Sequence, residues 1–393
     1  MNVFNAKRDT SKVILQILLG SPRVYSGLDH LMVEVTKQAT TNGYTNVCVY
    51  TDTMEHMPQL QSDIENAGGI VELVRSSNLL SDIWTLYRKY HPVIVDTHFI
   101  NKVKLWTCIF SLVFGVKHYT HMHSLLGEDI HEYVKKKGHI NRILLGMYYW
   151  TMTKLSQRVF CISQAITQQY RKWSYGACTN VETLYIGTQL ITPSYAREDA
   201  RKLLQLPCDR TIITNISAIE HIKGIDTILQ AVALLRQREI EVFFAHIGGL
   251  RSNTLEQQQY ADSLKQLAVE LGIEDNVVWL GRRSDVQDIL PMADVYVHPS
   301  RSEGLGSVLL EASVAGLPLV GSRVGGIPEI VQHNVNGMLV EADNAEQLAD
   351  AIEQVLTSKN NYGEQARKMV YQHFDQMKQA SKLLNLYNIA EKN

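Results

Sequence analysis

The sequence predicts an α/β protein built as two Rossmann-like, doubly wound domains facing an interdomain cleft. Three observations carry that expectation. Short apolar runs rich in β-branched residues alternate with helical stretches, the pattern of a parallel sheet covered by helices. The alternation restarts after Pro207, and a chain of 393 residues exceeds what one core ordinarily holds.

Taken in order, strands are expected at 13–19, 47–51, 70–74, 93–97, 117–120, 159–162 and 181–185, with a Gly- and Ser-rich loop after the first and a helical period over 28–40. The second series covers 211–216, 241–247, 277–280, 295–298 and 318–321. The apolar run 105–116 is shorter than the roughly 20 residues that cross a bilayer and reads as a buried helix. Between Gly187 and Ala200 no apolar period is visible and Pro193 interrupts, which places a hinge there. The expected division is therefore 1–193 and 194–370. The stretch 364–390 has a helical period, and its part from about 371 to 393 is expected to pack back on the first domain.

Hydrophobic residues make up 45% of the chain and charged residues 20%, a soluble globular composition rather than a disordered one. The five cysteines are scattered with no CxxC pair, which points to a reducing compartment and away from structural zinc. The first apolar stretch is too short for a signal-peptide core, so a cytoplasmic location is expected. Net charge is −2, yet residues 102–172 hold eleven Lys or Arg against Glu128, Asp129 and Glu132. Such a surface suits nucleic acid, anionic phospholipid, a diphosphate-linked acceptor or plain solvent; of these, nucleic acid is not among the expected partners. Lys135-Lys136-Lys137, with Tyr148-Tyr149-Trp150 and Arg171-Lys172-Trp173, points to peripheral contact with the inner face of an anionic membrane.

The densest chemical signal is residues 300–312, directly after the strand 295–298. Gly304 and Gly306 allow close backbone approach, and a helix starting near Ser307 would turn unpaired N–H groups toward an anion. This is the pattern of a diphosphate cradle. Glu303 precedes that helix and Glu311 lies more than one turn inside it, so the two carboxylates can accept hydrogen bonds from hydroxyls on different parts of one elongated ligand. Ala315-Gly316-Leu317-Pro318 then feeds a buried strand, and Gly325-Gly326-Ile327-Pro328-Glu329 opens a second Gly-rich helix start.

Glu303 to Glu311, Ala315-Gly316-Leu317-Pro318 and Gly325-Gly326-Ile327-Pro328-Glu329 together resemble glycosyltransferase family 4, the retaining enzymes of GT-B fold. The likeness extends to 216–224, Ile247-Gly248-Gly249, Val278-Trp279-Leu280-Gly281-Arg282 and Asn336-Gly337. The resemblance implies a hexosyltransferase that takes a nucleotide-sugar, expected to be UDP-linked, and transfers its sugar to a hydroxyl of a glycan or lipid-linked acceptor in envelope or capsular polysaccharide synthesis. It also implies acceptor binding by 1–193, donor binding by 194–370, no resident cofactor and no catalytic metal.

By the same resemblance Glu303 contacts the sugar, Glu311 the ribose, Lys223 the phosphates, and Gly304, Leu305 and Gly306 supply backbone contacts. Arg282 falls where the base is held, with Ser217 and Gly27 also at the nucleotide. His121, at a strand end, is the expected sugar contact with His123 as the fallback; an i, i+2 histidine pair without an apparent third ligand is not read as a metal site. The chain departs from the family in having Ala218 where an arginine is usual, leaving Arg282, Arg283 or Arg323 to replace it. Two other readings stay open: a non-hydrolysing sugar-nucleotide epimerase, and a catalytically weak nucleotide-sugar binding protein.

Overall fold

The computed structural model describes residues 12–19, 26–51, 57–98, 101–124, 130–176, 179–252 and 254–389. Most of the loop expected after the first strand, and Glu128 and Asp129, lie outside these residues. The first sheet contains β1 (Lys12–Ile17), β2 (Tyr44–Thr51), β3 (Ile70–Val74), β4 (Ile94–Thr97), β5 (Lys117–Met122), β6 (Arg158–Cys161) and β7 (Val181–Thr183), in the order β3-β2-β1-β4-β5-β6-β7. The second contains β8 (Thr211–Ile216), β9 (Val242–Ile247), β10 (Val277–Trp279), β11 (Val295–His298), β12 (Leu319–Ser322) and β13 (Gly337–Val340), in the order β10-β9-β8-β11-β12-β13. Both sheets are wholly parallel, for example Leu15 beside Val47 and Val95 in the first and Ile213 beside Phe244 and Val295 in the second.

Parallel strands with helices on both faces need apolar side chains on both sides, which is why these strands read as near-continuous Val, Ile and Leu runs. In each sheet the strand order reverses beside the first strand of its series, β1 or β8. The crevice at the carboxyl ends of such strands is where doubly wound sheets bind ligands.

Three sequence expectations change. The strand β13 was not anticipated, because it begins on Gly337 of the Asn336-Gly337 turn and only three apolar residues follow to mark it. The stretch 364–390 is two helices, Tyr362–His373 and Gln376–Leu386, separated by an isolated parallel bridge between Asp375 and Thr188. The second of these helices packs on the helix Gly27–Thr41 of the first sheet. Finally, the apolar run 105–116 lies in the helix Asn101–Phe114 but is not wholly buried: Trp106, Leu112 and Val113 are 44%, 61% and 65% exposed.

Candidate donor site

The loop from Pro299 to Gly306 leaves β11 and ends on Gly306, whose φ of +87° caps the helix Ser307–Val314. That backbone shape strongly favours glycine. Within the loop Glu303 Oε2 lies 2.7 Å from Lys223 Nζ, 3.1 Å from His298 Nε2 and 3.4 Å from Ser300 Oγ. Burial opposes ionisation of Glu303, but the hydrogen bond and charge of His298 and the ammonium of Lys223 outweigh it and hold the carboxyl at about 2. It is therefore an acceptor at any physiological pH.

Lys223 ends a single 3-10 turn, His221–Lys223, and Gly224 follows at φ +67°. A Cβ on Gly224 would sit 2.3 Å from the carbonyl oxygen of Pro299, so glycine lets the lysine turn press against the glutamate loop. Arg301 reinforces the contact: its backbone N–H donates to Ile222 O at 2.8 Å, and its guanidinium grips Asp226 at 2.7 and 3.0 Å.

Glu311 differs from Glu303. It is half-buried within the helix, no hydrogen bond to its carboxylate is found among the described residues, and burial raises it to about 7. A carboxylate held this way is ready to accept from a diol but costs desolvation until one arrives.

A cavity of about 610 Å³ opens next to this helix, lined by Ile216, Ser217, Ala218, Ile247, Gly248, Gly249, Arg251, Arg282, Arg283, Val286 and Val308. Gly248, at φ +140°, is packed so closely on Ser217 that a Cβ would fall 1.9 Å from its carbonyl oxygen. Ser217 donates its hydroxyl to Asn215 Oδ1 at 2.6 Å. Three arginines thus line the same cavity as Ala218. Arg282 donates to Leu250 O, Arg283 is paired with Asp285 at 2.6 Å, and Arg251 was not singled out by the sequence. Arg323 does not line the cavity and pairs with Glu341 at 3.4 Å, so it does not replace the missing arginine there.

The first sheet closes over this loop. A Cβ on Gly304 would lie 2.7 Å from His123 O, and one on Gly326 would meet Gly304 O at 2.5 Å and Ser163 Cβ at 3.0 Å. Leu305 between them is 2% exposed. Gly27 opens the helix Gly27–Thr41, and a Cβ there would be 3.9 Å from that of Ser307. Two helix N-termini, one from each sheet, therefore converge on the cleft, each able to present N–H groups to an anion.

The histidines are arranged otherwise than the sequence implied. His121 is 2% exposed and turned inward, its Nε2 2.8 Å from Asp96 Oδ2, while His123 is less buried and sits where the cleft begins, its carbonyl against Gly304. A third imidazole, His98, follows β4: its Nδ1 is 2.9 Å from His123 Nε2 and its ring stacks on His121 at 4.3 Å. Ligand atoms of the three lie within 4.8 Å of one another, so the expectation that no third histidine accompanies the pair is corrected. The same rule that chose His121, a histidine at a predicted strand end, points to His98. Burial and repulsion from the buried Lys104 lower all three, with His121 adding repulsion at His98 and His123; His121 itself is lowered to about 3. Asp96 accepts from Tyr387 Oη, and Gln16 Nε2 donates to the same phenol at 3.3 Å, so the network runs from the C-terminal helix to the cleft.

Across the cleft, Glu329 Oε2 and Oε1 accept from the backbone N–H groups of Gln164 and Ala165 at 2.8 and 3.0 Å, and Tyr185 Oη donates to the same carboxylate at 2.9 Å. A side chain of the second half thus caps the helix Gln164–Trp173 of the first.

Residues 196–373 match the family described as glycosyl transferases group 1. N-acetyl-alpha-D-glucosaminyl L-malate synthase of Bacillus anthracis is 34% identical over 179 residues, 45% of either chain. The GDP-mannose-dependent alpha-(1-6)-phosphatidylinositol monomannoside mannosyltransferase of Mycobacterium tuberculosis is 33% identical over 176 residues, 42% of this chain and 43% of that one. These matches span less than half the length of the curated relatives. The crystal structure of HepE from Anabaena in complex with UDP superposes with a TM-score of 0.79, covering 96% of this chain and all of that one at 20% identity, which fixes the fold as GT-B. The chain thus resembles the glycosyl transferases group 1 family over residues 196–373, a little under half of its length, and shares the GT-B fold over nearly all of it.

Proposed function

We propose that the protein is a retaining, metal-independent glycosyltransferase that moves a sugar from a UDP-linked donor to a hydroxyl of a glycan or lipid-linked acceptor, in envelope or capsular polysaccharide synthesis at the inner face of the cell membrane. The observation that carries this reading is the ionised Glu303 paired with Lys223 beside two converging helix N-termini, with the unpaired carboxylate of Glu311 one loop away. The boundary between acceptor and donor units is placed near residue 193.

In this reading the diphosphate lies between the starts of the helices Gly27–Thr41 and Ser307–Val314. Lys223 exchanges Glu303 for the departing phosphate and stabilises the charge that develops there. Glu303, released, accepts from the sugar hydroxyls, and Glu311 accepts from the ribose. Ser217 and the Arg282 backbone border the base, and Gly304, Leu305 and Gly306 supply the backbone around sugar and phosphates. His123 takes the sugar contact first expected of His121, which with His98 and Asp96 holds it in place. The departing phosphate oxygen takes the proton of the acceptor hydroxyl on the same face of the sugar, so that configuration is retained without a covalent intermediate. No resident cofactor enters the scheme.

UDP in the structural relative supports the donor base, whereas the mycobacterial relative is GDP-mannose-dependent, so the base is tested directly. Thermal shift with UDP-, GDP- and ADP-sugars should give its largest rise with UDP-sugars, and Glu311→Ala should abolish it. A dominant GDP shift would reassign the donor; sugar-nucleotide conversion without acceptor would indicate the epimerase.

A further inference from the structure

The helix His139–Leu155 is mounted with its more apolar stripe facing solvent. Ile140, Ile143, Leu144, Met147 and Trp150, spaced i, i+3, i+4, i+7 and i+10, are 74%, 52%, 58%, 56% and 45% exposed. The stripe that faces the protein contains Arg142, Gly146, Tyr149, Met152 and Thr153. That orientation is locked from inside. Arg142 donates to the carbonyls of Trp173 and Lys172, both at 3.0 Å, and stacks over the rings of Trp173 and Tyr175 at 4.8 and 4.6 Å. Gly146 admits the Tyr175 ring, which a Cβ would meet at 2.3 Å. The helix cannot roll its apolar face inward without breaking these contacts.

The neighbouring helix Asn101–Phe114 adds the exposed Trp106, Leu112 and Val113. Eight of the twenty large hydrophobic side chains exposed among the described residues therefore lie on two adjacent helices. A patch of this kind on a soluble surface marks an interaction site. Its rim is cationic: Lys135, Lys136 and Lys137 precede the helix, Lys154 lies in its last turn, and all four are exposed. Because the helix returns the chain to the start of β6, its first turn and the three lysines lie toward the carboxyl ends of the strands, the cleft end. The aromatic residues picked out by sequence contribute little: Tyr149 and Trp173 are 2% and 1% exposed, and only Trp150 reaches the surface stripe.

We infer that the helix His139–Leu155, with the outer face of Asn101–Phe114, inserts its apolar stripe into the interface of an anionic phospholipid bilayer while Lys135–Lys137 engage the headgroups, setting the cleft mouth at the membrane surface. The inference rests on the lipid-linked acceptor reading above and names the surface that would serve it. An interfacial helix with an apolar stripe and a cationic flank combines area burial with attraction to acidic headgroups, whereas a protein partner would have to match this cationic rim with acids.

The test is cosedimentation of the full chain with phosphatidylglycerol-containing vesicles and with phosphatidylcholine vesicles at low salt. Wild type should pellet with the anionic vesicles and at least about tenfold less with the neutral ones. Ile143→Ser/Leu144→Ser/Met147→Ser and Lys135→Glu/Lys136→Glu/Lys137→Glu should each reduce binding by a similar factor with the UDP thermal shift unchanged. Tryptophan fluorescence should shift to the blue on anionic vesicles, and Trp106→Phe/Trp150→Phe should remove that change. Wild-type partition by the triple serine variant would overturn the inference, as would a wild-type dimer in sedimentation that this variant dissolves while no vesicle binds. Vesicle binding without any nucleotide shift would instead sink the glycosyl-transfer reading and leave the membrane surface standing.

Discussion

Glu303 and Glu311 are the same residue type eight positions apart, and their surroundings drive them in opposite directions. Lys223 and His298 keep Glu303 ionised, while burial without a partner raises Glu311 to about 7. Only the ionised form of Glu311 accepts two hydroxyl hydrogens, so nucleoside diphosphate affinity should rise as pH passes upward through about 7. Glu311→Gln should flatten that rise in calorimetric titrations between pH 6 and pH 8. Without ligand the stability effect has the opposite sign: the raised carboxyl contributes stability that is full below its ordinary 4.5 and is lost as pH climbs through about 7. At Lys223 the expected loss is catalytic, with Lys223→Ala lowering kcat by about 10²- to 10³-fold once a donor and acceptor are in hand. Gly224 is a matter of backbone: Gly224→Ala combines a positive φ with a contact on Pro299 O and should cost roughly 1–3 kcal/mol in denaturant unfolding.

At the scale of elements, the glutamate loop and the lysine turn were legible because they are local: glycines at fixed offsets announce a backbone shape whatever the rest of the chain does. The histidine cluster was only half legible, since His98 and His123 meet through the pairing of β4 with β5 and not through sequence proximity. The outward apolar stripe of His139–Leu155 was hidden for another reason. Periodicity reports that a helix has two faces but not which one is turned to solvent, and that choice rests on Arg142 and Gly146. Glu329 gives an element-level prediction. It caps the helix Gln164–Trp173 from the opposite half, so Glu329→Ala leaves two N–H groups without their acceptor and loosens the closed cleft. The radius of gyration from small-angle scattering should increase, and the KM for donor should rise by about tenfold at most, with kcat changing less.

For the whole molecule, the chain passes between the two sheets twice, once near Thr188 and again near Asp375, and the two passages are bridged to each other. Opening of the cleft should therefore be rotation about that bridge rather than free swivelling of two bodies on one thread. Two doubly wound sheets and their facing cleft were expected from the alternation of runs, whereas β13 and the break between the last two helices were not: β13 has only three apolar residues behind a turn, and the period over 364–390 gives no sign of a two-residue break. The charge needed at the departing phosphate comes, in the proposed scheme, from Lys223 and helix termini. Chelation with EDTA should accordingly leave the transfer rate within about twofold of the untreated protein, and a loss that added zinc restores would turn attention to His98, His121 and His123.

Tyr387 fills the space between Gln16 and Asp96, 371 and 291 positions earlier in the chain. A ribosome releases those partners long before it makes the phenol that completes them. Nascent β1 and β4 must wait, incompletely packed, until the codon for Tyr387 has been read. Premature termination anywhere in the second half would thus damage the half already made.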